Sequence, residues 1–197
     1  MPLTDLVSRC RSYRRFDERM PVGELVLRDL VGLARRAASA ANRQPLKYVL
    51  SCAPEWNAKV FETLAWAAYL PDWPGPAAGE RPTAYIVVLV DTSISPAADV
   101  DVGIAAQTIL LGAVERGLGG CLFAAVKREQ LASRLALPDR LTIALVIALG
   151  TPVETVVLEE LPVDGSIRYY RDAAQVHHVP KRPLEELVHA VYAGGKA

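Results

Sequence analysis

Apolar residues fall along this chain in two rhythms, helical spacings of three and four and unbroken runs, and a proline-rich stretch interrupts both. Leu3, Leu6, Val7 and Cys10, with Thr4 or Asp5 near the start, predict a short amphipathic helix over 3–12. A second helix is predicted over 22–38: Val26, Leu30, Leu33, Ala34 and Ala37 form its apolar stripe, and Arg28, Asp29, Arg35 and Arg36 carry charge elsewhere. Residues 46–52 follow Pro45 and are β-branched and aromatic enough for a strand. Helical spacing returns over 55–70 through Val60, Leu64 and Ala67. Pro71, Pro74, Gly75, Pro76, Gly79 and Pro82 then forbid any regular element, and a loop of that length in a compact domain is commonly a lid or binding loop.

Beyond the loop, residues 83–91 read as a strand buried on both faces. Residues 101–116 form a helix that is apolar nearly all round and therefore central, ended by Gly117 and Gly119. Strands are predicted over 120–126 and 142–149, with a short helix over 128–135 between them. Pro183 opens a C-terminal helix with Glu185 and Glu186 placed for its N-terminal dipole. The alternation favours helices layered on a sheet, without establishing parallel winding. The tail over 152–180 is too long and charged for a linker, and its apolar residues need a surface, a second subunit being one candidate.

A chain of 197 residues fits one domain, and 22 basic against 22 acidic side chains leave no surplus of cations for nucleic acid or a membrane surface. A small-molecule partner is the better expectation. Cys10, Cys52 and Cys121 are odd in number and far apart, which suggests neither a disulfide framework nor a zinc site. The first residues lack the apolar core of a signal peptide, and a cytoplasmic setting is expected.

Several short motifs could carry chemistry, and each has a plainer reading. Arg11, Ser12 and Arg14 suit a phosphate, because guanidinium forks match its oxygens; arginines at a helix C-terminus also simply complement the dipole. Ser39, Asn42 and Gln44 could meet a flat heteroaromatic edge, or merely stop a helix before Pro45. Gly119 and Gly120 follow a helix and precede a strand, the reverse of a dinucleotide fingerprint; they suit a C-cap turn or close approach to a flat ligand. Lys181 and Arg182 precede the last helix and could complete an anion site. His177 and His178 point opposite ways in an extended segment and lack a third ligand, so no metal is predicted. Trp66, Tyr69 and Trp73 lead into the proline-rich loop and could stack on a substrate or simply pack.

In this order, these segments resemble the nitroreductase family along nearly the whole chain. Arg11-Ser12-x-Arg14-x-Phe16 resembles its flavin-phosphate motif, and Ser39-x-x-Asn42-x-Gln44-Pro45 its flavin-edge motif. The runs 101–107 and 115–121 resemble its central helix and following turn, 147–152 its penultimate strand, and 179–184 its closing motif. Cys10 stands where many members have arginine, and Leu46 where tryptophan is frequent.

The resemblance implies an α+β fold, a central mostly antiparallel sheet flanked by helices, in a domain-swapped homodimer. It makes 1–197 a single domain whose segment from about 152 to 197 wraps the partner subunit. It implies FMN at the dimer interface, held by Arg11, Ser12, Arg14, Ser39, Asn42, Gln44, Gly119, Gly120, Lys181 and Arg182, with NADH or NADPH as electron donor. The expected activity is reduction of a small acceptor such as a nitroaromatic or quinone, with Trp66, Tyr69 and Trp73 in the substrate pocket. No catalytic side chain is required, since the flavin carries the chemistry. A specialised flavin reaction of the dehalogenase kind, or flavin binding without turnover, are the alternatives.

Overall fold

The computed structural model describes residues 1–194. The central layer is a wholly antiparallel four-stranded sheet in the order β1-β2-β4-β3, comprising β1 (Leu46–Ser51), β2 (Ala84–Asp91), β3 (Gly119–Phe123) and β4 (Leu141–Gly150). Strand β2 is buried at every one of its eight positions. Its even residues, from Ala84 to Val90, face helices α2 (Glu24–Ala34) and α4 (Asp99–Glu115). Its odd residues Tyr85, Val87 and Leu89 face α3 (Pro54–Phe61) and α5 (Arg128–Arg134). The period-two alternation of a strand thus feeds two cores at once, each fully buried Val, Leu or Ile contributing about 1.5–3 kcal/mol. Helix α4 lies against α2 at Gly112, where a Cβ would stand 2.5 Å from Leu33 Cδ1. The first helix, α1 (Leu3–Arg9), also packs on α4. Among the described residues, no helix is long and apolar enough to cross a membrane.

The long helix expected over 55–70 is a correction. It stops at Phe61 because the chain turns out to pair elsewhere: Leu64 bridges Val126, Ala65 N–H donates to Ala125 O at 3.0 Å, and Thr63 O accepts from Lys127 N–H. Leu64 and Ala67 are buried as their spacing suggested, but from an irregular segment in which Ala67 has φ 39°. Helices α1 and α2 are likewise shorter than expected, ending at Arg9 and Ala34. The last helix is a single turn, α6 (Leu184–Leu187).

The tail builds a second, three-stranded sheet from β5 (Val156–Glu160), β6 (Tyr170–Arg171) and β7 (His177–Lys181), ordered β5-β7-β6. Its entry is fastened to the same chain's N-terminal segment, with Phe16 bridging Pro152 and Asp17 N–H donating to Thr151 O at 2.8 Å. Beyond it, Leu184, Leu187, Val188, Val191 and Tyr192 are exposed.

Neighbouring histidines on β7 experience opposite surroundings, as their alternation requires. His177 is fully buried; burial first, then the positive charges of Arg14 and Arg171 and its neighbour His178, push its pKa down to about 4. His178 stacks on Tyr170 at 4.7 Å and contacts Glu159 and Asp172, whose hydrogen bonds raise its pKa. The consequences for stability have opposite signs. His177 is neutral in the fold while the unfolded chain protonates near 6.5, so its contribution is complete above that value and is lost as pH falls toward about 4. His178 contributes fully below 6.5 and loses that contribution as pH rises through its raised value. The melting temperature should therefore fall from pH 6.5 to 4, and His177→Asn should flatten that fall. Equal slopes for the two proteins in thermal melts would contradict the assignment.

Candidate functional site

The motif residues fall into three groups. In the first, residues 11–16 leave α1 and run beside the start of β3. Ser12 bridges Gly120, and Tyr13 N–H donates to Gly120 O at 3.0 Å. The adjacent glycines are what permits this: a Cβ on Gly119 would lie 2.5 Å from both Pro152 and Tyr13, and one on Gly120 would lie 2.6 Å from Ala148 O. Their need to be glycine is thus met by protein packing. Phe16, fully buried against Gly150, anchors the far end.

Glu154, from the tail, pins this segment. Its carboxylate, 1% exposed, accepts the backbone N–H groups of Arg14 and Arg15 and is bridged by Arg171 at 3.0 Å. Arg15 pairs with Glu80. Arg14 is left with neutral partners: its Nη1 lies 3.2 Å from Ser12 O and 3.3 Å from His177 Nε2, and its guanidinium sits 4.9 Å from the Tyr169 ring centroid. A neutral His177 that accepts at Nε2 carries its proton on Nδ1, which is buried without a partner among the described residues. Arg11 donates to Val7 O at 2.6 Å, as a helix C-terminal arginine does, while its Nε is buried without an acceptor.

The aromatic residues adjoin this group. Tyr69 packs on Tyr169 at 4.9 Å, and Tyr169 on His177 at 5.1 Å. Trp66 meets Phe123 at 4.6 Å and Trp73 edge-on at 6.1 Å, while Arg171 covers Trp73 at 4.2 Å. Gly75, with φ 108°, lets the proline-rich loop pass under Trp66, where a Cβ would come within 2.8 Å of the indole. Trp66 and Trp73 are thereby used to fasten the loop.

The second group lies at the opposite end of the sheet. Ser39 donates to Asp101 at 2.5 Å, and Ala40 N–H to the same carboxylate at 3.0 Å. These bonds hold the buried Asp101 carboxyl below its ordinary pKa despite desolvation. Ser39 Oγ in turn accepts from Gln44 N–H at 2.9 Å. Between these bonds Ala41, Asn42 and Gln44 all have positive φ, near 50°, a conformation that costs a non-glycine residue of order 1 kcal/mol or more. Ser39 and Gln44 border a cavity of about 320 Å³ with Asp101, Tyr48 and the apolar Ala34 and Leu46.

Lys181 and Arg182 form the third group. Lys181 ends β7 opposite Glu160, and Arg182 pairs with Glu186 across one helical turn. Both are exposed, and neither bonds to the N-terminal group. Sequence reasoning missed three residues: Glu154 and Tyr169, which carry no local signal, and Asp101 as the holder of Ser39. An aspartate inside an apolar helix could have flagged the last.

A model described as the nitroreductase family matches residues 7–151, from α1 through the end of β4. No curated protein matches the sequence. The fold is shared with a nitroreductase family protein from Clostridium difficile 630, 19% identical, covering 98% of this chain and 100% of that one with a TM-score of 0.69. An FMN-dependent nitroreductase from Clostridium difficile R20291 is 19% identical over 77% of this chain and 88% of its own, with a TM-score of 0.60. The NADPH:FMN oxidoreductase of Vibrio harveyi, in complex with NAD+, is 21% identical over 82% and 74%, with a TM-score of 0.62. The antiparallel sheet between its helical layers, the motifs placed upon it and the match over most of its length show that the chain belongs to the nitroreductase family.

Proposed function

We propose that this protein is an FMN-dependent oxidoreductase that takes hydride from NADH or NADPH and reduces a small acceptor, a nitroaromatic, quinone or similar compound, as a homodimer. The observation that carries the reading is the unspent positive charge of the N-terminal group. Among the described residues neither Arg11 nor Arg14 forms an ion pair, and Arg11 Nε is buried without an acceptor. An orphaned, partly buried guanidinium favours an anion, and a phosphate supplies the matching oxygens. Glu154 is held by Arg171 and His177 is neutral, so neither competes for that charge with a phosphate.

The two FMN-binding groups lie at opposite ends of the sheet. Ser51, Tyr85, Ala148 and Cys121 share one level across it, and Leu46, Val90 and Thr142 share the other. At about 3.3 Å per residue, Gln44 and the Ser12–Gly120 bridge are separated by roughly 25 Å along the strands. One chain therefore does not wrap both groups around a single flavin, and we assign Ser39, Asn42 and Gln44 to the flavin bound by the other subunit. Lys181, Arg182 and the exposed apolar residues of 184–192 then reach the partner, where Val191 and Tyr192 would find the cover they lack here. When bound, FMN supplies hydride acceptance and electron transfer, and this chain's residues bind, orient and shield it. Arg11, Arg14 and Ser12 hold the phosphate end. The strained loop presents the Asn42 and Gln44 amides at the ring edge, and the Trp66, Tyr69 and Trp73 cluster limits access beside it.

Anaerobic absorbance spectra before and after adding NADH or NADPH test the activity. Oxidised-flavin bands that bleach on addition are expected; no flavin bands after incubation with FMN would overturn the reading. Arg14→Ala should weaken FMN binding by about 1.5–3 kcal/mol in a flavin titration, and unchanged affinity would remove its phosphate role. A chain ended after Arg182 should sediment as a monomer with reduced flavin content. A yellow dimer from that truncation would refute the proposed role of the C-terminal arm.

A further inference from the structure

A second pocket lies where the ends of β1 and the start of β2 meet α3, and none of the motif residues lines it. Its volume is about 170 Å³, and Pro21, Pro54, Ala58, Phe61 and Pro82 give it apolar walls. Two of its lining residues carry buried donors without partners. Tyr85 is fully buried on β2, and its hydroxyl makes no hydrogen bond. Arg81 lies 4.6 Å from the Phe61 ring centroid; its Nε is buried without an acceptor, and its guanidinium has no ion pair among the described residues. The side chains of Asn57 and Thr83, also on its lining, are already used. Asn57 accepts from Ser51 and donates to Thr83 O, both at 2.7 Å, and the Thr83 hydroxyl donates to Met20 O at 3.1 Å.

The unfilled requirement is thus specific in sign and geometry: an acceptor carrying negative charge, reached by a phenol and a guanidinium together, on a body that suits apolar walls. Burial raises the Tyr85 pKa, so the phenol remains a donor throughout the accessible pH range. Glu18 lines the same pocket and accepts from Gly79 N–H at 2.5 Å. Its carboxylate repels added negative charge, which disfavours a dianion such as phosphate more strongly than a monoanion held directly by the Arg81 guanidinium. At about 30 Å³ for each water-sized group, the space suits roughly five or six non-hydrogen atoms.

We propose that this pocket binds a short-chain aliphatic monocarboxylate, its carboxylate on Arg81 and Tyr85 and its alkyl end against Phe61 and the prolines. The site is also coupled to the rest of the chain. Arg81 follows Glu80, which pairs with Arg15 and whose carbonyl accepts from Phe16 N–H at 2.9 Å, so an occupant tightens the segment that fastens the N-terminal motif.

Butyrate is the probe, titrated calorimetrically into the full-length protein, with butyramide and inorganic phosphate as controls. Saturable millimolar binding of butyrate alone, accompanied by a higher melting temperature, is expected. Tyr85→Phe removes only an unpartnered hydroxyl, so it should fold with undiminished thermal stability while weakening butyrate roughly tenfold or more. Arg81→Gln should abolish binding. Absence of butyrate binding, equal binding of butyramide, or unchanged butyrate affinity in folded Tyr85→Phe would each overturn the proposal. In the last two outcomes the pocket would be an apolar void whose phenol is satisfied by water.

Discussion

The carboxylate of Glu154 is the point on which the N-terminal motif and the tail both depend. It sits almost wholly out of water and collects two backbone N–H donors from one end of the sequence and a guanidinium from the other. A buried carboxylate left without such partners would be untenable, and removing one member of a buried pair typically costs about 3–5 kcal/mol. The bond therefore closes a loop of about 140 residues and sets where the Arg-Ser-x-Arg segment lies against β3. It also divides the charges. Because Arg171 satisfies Glu154 and Glu80 takes Arg15, Arg14 keeps a charge that no carboxylate among the described residues answers.

That division explains why a neutral histidine sits beside a cation. His177 could relieve Arg14 only as an acceptor, and its depressed pKa keeps it in that form through the neutral range. Were it protonated, two positive groups would face each other in a dry setting, and the segment would be pushed away from β3. On the proposed reading, the same neutrality leaves Arg14 positioned for a phosphate without cancelling its charge. The tail is then part of the cofactor site even where it makes no contact with the cofactor.

The sequence disclosed those parts of the fold that one local pattern determines. Strand β2 is an unbroken apolar run with a core on each side, and α4 is apolar around its circumference, so both were legible from residue type alone. The end of α3 was not, because Leu64 and Ala67 keep helical spacing while their backbone pairs with residues beyond β3, a choice settled 60 residues away. The tail strands were hidden for a related reason: β5 and β7 pair in parallel across some 20 residues, and none of the positions of β5 is fully buried. At the site, the arginines and the Ser-Asn-Gln loop could be named from their motifs. Glu154 could not, since its importance lies in joining two segments some 140 residues apart, and nothing in its neighbours says so.

The loop from Ser39 to Gln44 shows a different economy. Three residues other than glycine adopt positive φ within four positions, a conformation that local preference opposes. Helix stopping alone would need one such residue, and glycine would do it at less cost. The strain is instead over-determined by Asp101, which holds Ser39 from the side of the central helix, and by Gln44 N–H closing onto the same serine. What this achieves is orientation: Asn42 and Gln44 are exposed, and the Gln44 amide donates within the loop, to Asn42 Oδ1 at 3.1 Å and to the Asn42 carbonyl at 3.2 Å. On the proposed reading, the buried carboxylate keeps this backbone in an unfavourable state so that the Asn42 and Gln44 amides stay poised for a ligand edge.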